Sequence, residues 1–176
     1  MNDNERAISL AQTIYQDINE WLKFAEAKHA ALLAAWIALW IGIISLDLQY
    51  PFTIVQYTAL ICITLCASIN FLSFFPFLNK SDIIKKLCRK EYNAAPDNVL
   101  FYISIFIQSA NQNVYKTNFM NSLGGTNISS SGLLDHYLNQ IIDVSTIATI
   151  KVYLFAISLK LAAASLIVVS LFWVIA

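Results

Sequence analysis

Lys85, Lys86, Arg89 and Lys90 fall within one short polar stretch, and in helical spacing they share a face. Two readings of such a face stand. One is contact with anionic lipid headgroups, worth about 1 kcal/mol per basic residue near the surface. The other is a phosphate site for a small nucleotide. A second anion candidate, Gly124-Gly125-Thr126, lacks the Lys-Ser/Thr ending of a P-loop and follows no strand, so it reads as a flexible linker. Glu26 and Lys28 stand at the edge of an apolar run, where charge is costly unless paired or interfacial. They are either a helix-end anchor or partners for polar groups such as Asp143 or Gln140. His29 and His136 are the only histidines, and neither has a partner at metal-ligand spacing. Cys62, Cys66 and Cys88 read as small buried apolar groups. Asp135 and Asp143 read as solvated carboxylates on a polar helix face. No nucleophile-base or paired-carboxylate arrangement stands out, so neither an enzyme nor a metal site is expected. A formal net charge of zero gives no reason to expect a nucleic-acid binder.

The elements that position these residues are set by a strong apolar bias. Of 176 residues, 58% are hydrophobic and the mean hydropathy is +0.60, against an apolar share of roughly 45–50% in soluble domains. The excess is collected into runs. Ala30–Ser45, Phe52–Leu78 and Leu161–Ala176 carry no charge. About 20 apolar residues cross a bilayer. The second run is long enough alone, whereas the first and third need their flanking lysines, Lys28 and Lys160, to snorkel to the headgroups. A cleaved signal peptide does not fit the first run, because a long polar, helix-patterned stretch precedes it. All basic residues except Lys160 fall in Arg6–Lys28 and Lys80–Lys151, and basic residues gather on the cytoplasmic side of spans. The expectation is a cytoplasmic helix over 1–28, spans at 29–48, 52–78 and 155–176, and a cytoplasmic helical region over 79–151. The N-terminus then lies inside, and the turn after Asp47 and the C-terminus lie outside.

The fold class expected is all-α. Ile8, Ala11, Ile14, Ile18, Leu22 and Ala25 recur at three- and four-residue steps, and no Gly or Pro interrupts them before Gly42. One helix is therefore expected from Asn4 to about Ser45, running from the cytoplasm into the membrane. Pro51 is expected to open the second span and Pro76 to kink or end it. Ser81 is the expected N-cap of a helix to about Tyr92. Ala95–Asn98 is a break, Val99 to about Asn118 a further helix, and Asn121–Gly132 a loop. From Leu133 the helical period continues into the last span. The apolar stripes of the cytoplasmic helices must be buried against each other or against neighbouring subunits.

Read in order, the chain resembles a known family. Phe24–Ala34 (FAEAKHAALLA) resembles the membrane-entry motif of the Pycsar transmembrane effectors, small bacterial anti-phage proteins commonly encoded beside a pyrimidine nucleotide cyclase. Phe71–Phe77 is similar to the end of their second span, and Asn98–Tyr102 to a mid-region element. Leu138–Ala148, followed by Lys151-Val-Tyr153, is similar to their last-helix pattern. The matching blocks place Glu26, Lys28, His29, Gln140, Ser145 and Lys151 among family-motif polar contacts. Two positions depart: His29 and Val144 each stand where an Asn is expected. A polar contact joining the first and last helices through those amides would be altered here.

The resemblance implies a homo-oligomeric effector in the bacterial inner membrane that answers cyclic UMP or cyclic CMP and compromises the bilayer, stopping infection by stopping the cell. It requires no other cofactor. No cyclic-nucleotide-binding β-roll is recognisable, and 80–151 is too short and too helical to hold one. Any site must then be built from helices, with Lys85, Lys86, Arg89 and Lys90 for phosphate and Tyr92 or Tyr102 for base stacking. Two other functions stand beside this one. One is a membrane effector answering a cyclic oligonucleotide or a partner protein. The other is a non-lethal membrane adaptor.

Overall fold

The computed structural model describes residues 3–47, 54–75, 81–92, 100–124 and 132–175. Those residues form six helices and no strand: α1 (Asp3–Asp47), α2 (Ile54–Leu72), α3 (Asp82–Glu91), α4 (Tyr102–Gln108), α5 (Gln112–Ser122) and α6 (Gly132–Ile175). The all-helical reading holds, and so do the two long uninterrupted helices, of 45 and 44 residues. The Tyr50-Pro51 turn, Pro76, the break at 95–98, loop residues 125–131 and Ala176 lie outside the described residues.

Three local expectations are corrected. The single helix over 99–118 is two helices. Ser109 Oγ donates to the Phe106 carbonyl at 2.7 Å, and the Asn111 side chain accepts from the Asn113 N–H at 3.2 Å as the N-cap of α5. Ser and Asn offer the backbone these local alternatives, and here they end one helix and begin the next. Helix α2 stops at Leu72, four residues before Pro76. The N–H groups of Ser73, Phe74 and Phe75 each bond a carbonyl three residues back at 3.1 Å, a tightened last turn. Ser81 does occupy the N-cap of α3, but its side chain makes no capping bond.

The chain divides into two compact units, Met1–Ala25 with Asn79–Lys151, and Glu26–Leu78 with Val152–Ala176. The first unit has an ordinary apolar core. Ala7, Ala11, Ile14 and Ile18 on α1 and Leu134, Leu138 and Ile141 on α6 are buried, together with Ile105, Phe106, Tyr115 and Phe119 from α4 and α5. Gln12 Nε2 donates to the Tyr137 hydroxyl at 3.0 Å, and the Tyr15 and Tyr137 rings meet edge-on at 6.4 Å. Asp135, expected to be solvated, receives Lys116 Nζ at 3.1 Å. Both partners are partly exposed, so this pair adds at most about 1 kcal/mol.

The second unit is built the other way round. Its largest exposed side chains are apolar, including Ile37, Trp40, Ile54, Ile61, Leu65 and Leu166, while His29, Asn70, Ser73 and Ser158 are buried. Hydroxyls on the apolar helices are satisfied within their own helix: Thr58, Thr64, Ser68 and Ser165 each donate to the carbonyl four residues back at 2.7–2.8 Å. A hydroxyl bonded in this way can face hydrocarbon at little cost. By length and apolarity, Asp3–Ser45 and Gly132–Ile167 each suffice to cross a membrane, and Gln56–Leu72 is a shorter apolar helix.

Burial in the first unit also sets a pH dependence. It pushes the Cys88 thiol up from 9.0 to about 12 and raises the Tyr102 and Tyr115 phenols above 10.0. The neutral forms are the ones the fold accommodates. Their stabilisation is fully present below the unfolded-state values and is lost as pH rises from about 9 towards 12. The melting temperature of the purified protein should be level up to about pH 8.5 and then fall, with Cys88 accounting for about 5 °C, the shift that a loss of ~2 kcal/mol gives in a chain of this size. Cys88→Ala should reduce that alkaline loss. An unchanged loss would show that the thiol does not contribute to it.

Candidate functional site

One amide joins the three apolar helices of the second unit. Asn70, on α2, is fully buried, as are His29 on α1 and Ser158 on α6. Asn70 Nδ2 donates to Ser158 Oγ at 2.6 Å and to the Cys66 carbonyl at 3.1 Å. Both amide protons are thereby used, so Oδ1 is left as the acceptor facing His29 Nδ1 at 3.1 Å. The proton on that bond must come from the imidazole, which fixes His29 with hydrogen on Nδ1. Ser158 Oγ in turn points its proton at the Cys66 carbonyl, 3.5 Å away. The Ser73 hydroxyl donates to the Asn70 carbonyl at 2.6 Å.

Aromatic edges enclose this chain of bonds. The His29 ring meets Phe155 at 5.3 Å and Phe74 at 6.3 Å, both near perpendicular. Bonds of this kind between membrane helices are worth about 0.6 kcal/mol each on average and up to ~1.7. Losing one partner costs more, about 1–3 kcal/mol, because the group left behind is buried without a bond. The arrangement is a junction with two outcomes. It is closed when all three helices are in register, and unfavourable when one of them slides or turns.

The basic helix α3 is resolved into two pairs. Lys85 and Arg89 are half-buried, and Lys86 and Lys90 are exposed. The Arg89 guanidinium lies over the Phe106 ring at 5.3 Å, and its Nε is buried with no hydrogen-bond partner. Tyr92 is the C-cap of α3, with its N–H bonded to the Cys88 carbonyl. Tyr102 is buried, its ring 4.9 Å from Phe101 and 6.1 Å from Trp21, so its faces already serve the packing. Among the family-motif positions, Gln140 is bonded to His136 one turn away at 3.0 Å. Ser145 is buried, with its hydroxyl lacking a partner. Glu26 and Lys151 are half-buried, and Lys28 is exposed. His29 is the one whose partners define a junction.

A family model described as the Pycsar effector protein domain matches residues 10–176. The chain belongs to the Pycsar effector family. No curated protein and no solved structure matches it. Membership makes it an effector of Pycsar anti-phage defence that works in partnership with a cyclase. It also agrees with the second unit, whose apolar exterior and polar interior suit a membrane protein. The His29 departure noted from sequence falls on the junction itself. Asn70 and Ser158 were not singled out from sequence, although Asn70 is conspicuous as an amide inside an uncharged run.

Asn70→Leu should lower the stability of the second unit in detergent micelles by about 2–4 kcal/mol, since it orphans both His29 and Ser158. His29→Asn, which keeps an N–H donor, should retain more stability than His29→Phe. Equal losses in the two His29 variants would mean that the bond to Asn70 contributes nothing.

Proposed function

We propose that this Pycsar effector sits in the bacterial inner membrane, binds cyclic UMP or cyclic CMP on its cytoplasmic helices, and responds by opening a leak that halts the infected cell. Helices α1, α2 and α6 are the three crossings. The nineteen residues of α2 span about 28 Å at 1.5 Å per residue, close to the ~30 Å hydrocarbon thickness. The distribution of Lys and Arg supports an orientation with the N-terminus and α3 inside.

The observation that carries this reading is the closed His29–Asn70–Ser158 junction. A resting effector must hold the bilayer sealed, and a hydrogen-bonded amide shared by three apolar helices is a means of holding them in one register. Helices α1 and α6 both contribute residues to the first unit, where the nucleotide is proposed to bind, as well as to the apolar one. A ligand with higher affinity for a repacked arrangement shifts the population towards it, and the junction opens. Lys85 and Arg89 are the cations proposed to take the nucleotide phosphate, because both are held against the fold and Arg89 retains unspent donor capacity. Tyr92, beside them at the end of α3, is the ring proposed for the base.

The test is expression of the chain with a pyrimidine nucleotide cyclase, followed by a potential-sensitive dye. Potential and growth should collapse when the cyclic nucleotide accumulates. A Lys85→Ala/Arg89→Ala variant that inserts normally should need at least about tenfold more nucleotide, the cost of losing charge-assisted phosphate contacts. Steady potential and growth while both cyclic UMP and cyclic CMP accumulate would sink the proposal.

A further inference from the structure

Two exposed helix stripes in the first unit have the same spacing and opposite charge. On α1, Asp17, Glu20, Trp21 and Phe24 follow one another at steps of three, one and three residues and share one edge of the helix. Trp21 is 53% exposed and Phe24 50%. With Leu100 and Phe101 they line an open groove of about 440 Å³. On α3, Ile83, Lys86, Leu87 and Lys90 repeat the same steps, with Ile83 73% exposed and Leu87 48%. In the same unit, Ile14, Ile18, Ile105, Phe106 and Phe119 are buried, whereas Trp21, Phe24, Ile83 and Leu87 stand exposed beside charged residues. Exposed apolar groups gathered in this way mark a contact surface.

We infer that α3 of one copy docks into the α1 groove of the next. Antiparallel alignment sets Lys90 opposite Asp17, Leu87 opposite Glu20, Lys86 opposite Trp21 and Ile83 opposite Phe24. Lys90 then meets a carboxylate, Lys86 a ring face with Glu20 beside it, and Ile83 an aromatic ring, while Leu87 lies along the aliphatic stem of Glu20. A membrane surface accounts for half of this pattern only. Anionic headgroups attract the α3 stripe but repel Asp17 and Glu20, which leaves the aromatic groove without an occupant. A second copy supplies one occupant for both stripes. The two surfaces differ, so the contact is heterologous, and repetition gives a ring if the rotation closes. The stripe uses the exposed Lys86 and Lys90 and leaves Lys85 and Arg89 on the adjoining, half-buried flank of α3, so this inference stands whether or not a nucleotide binds there.

Differently tagged full-length copies co-expressed and captured in mild detergent provide the test, with helical content checked by circular dichroism. D17K/E20K and K86E/K90E should each reduce co-capture by about tenfold through like-charge contact. The quadruple variant D17K/E20K/K86E/K90E, complementary once more with the signs exchanged, should recover it. With Cys62, Cys66 and Cys88 replaced by Ala throughout, copies carrying Phe24→Cys should form disulfides under a mild oxidant with copies carrying Ile83→Cys, and neither population should do so alone. The inference is overturned if the quadruple variant assembles no better than the doubles, or if the single-cysteine populations cross-link with themselves. It is also overturned if every variant assembles like the parent while a fluorophore on Leu87→Cys shifts to the blue only in phosphatidylglycerol vesicles. That last result assigns α3 to lipid.

Discussion

A buried amide in an apolar helix bundle has to find both acceptors and a donor, because hydrocarbon offers neither. Asn70 satisfies this requirement through α1, α6 and its own helix at once. The polar hydroxyls of the same bundle solve the problem locally, by bonding the carbonyl four residues back, and so place no condition on their neighbours. Asn70 does place one. Its side chain is satisfied only when His29 and Ser158 are both present at hydrogen-bond distance, which makes the register of three helices a single shared condition. The hydrogen on His29 Nδ1 follows from the same accounting, since the amide has no proton left to give.

The two units divide the work by opposite use of the same physics. The first buries aliphatic and aromatic side chains and leaves charge outside, as a water-facing fold does. The second exposes its large apolar residues and closes polar groups inside, as a bilayer-facing fold does. Two unbroken helices contribute to both. In the proposed mechanism this continuity lets a small ligand act on the bilayer. No separate transmission element is required when helices of the unit proposed to carry the nucleotide site are also those that meet at Asn70.

Much of this was legible in the amino-acid sequence, for reasons that also explain what was not. The length of α1 follows from Ile8, Ala11, Ile14, Ile18 and Ala25 at helical steps with no breaker before Gly42, and α6 follows in the same way. Periodicity reports which face of a helix is buried. It does not report the partner, and His29, Asn70 and Ser158 are separated by 41 and 88 positions. The resemblance to Pycsar effectors singled out His29 as a substitution for Asn, yet could not supply its acceptor. The break between α4 and α5 was missed because Ile103, Phe106 and Ile107 kept the apolar rhythm, while the competing signals, Ser109 and Asn111, act through side-chain bonds to the backbone. The four basic residues of α3 were read as one cluster. Only packing against Phe106 separates Arg89 from Lys86 and Lys90.

The central claim is that the Asn70 junction keeps the resting effector sealed, and leakage from dye-loaded vesicles containing the purified protein tests it most directly. Parent protein should hold the dye until the activating cyclic nucleotide is added. Asn70→Leu should release it at least about tenfold faster without nucleotide, as loss of ~1.4 kcal/mol or more from the closed state requires. If Asn70→Leu vesicles remain as tight as the parent and leak only on nucleotide addition, the junction is not the seal.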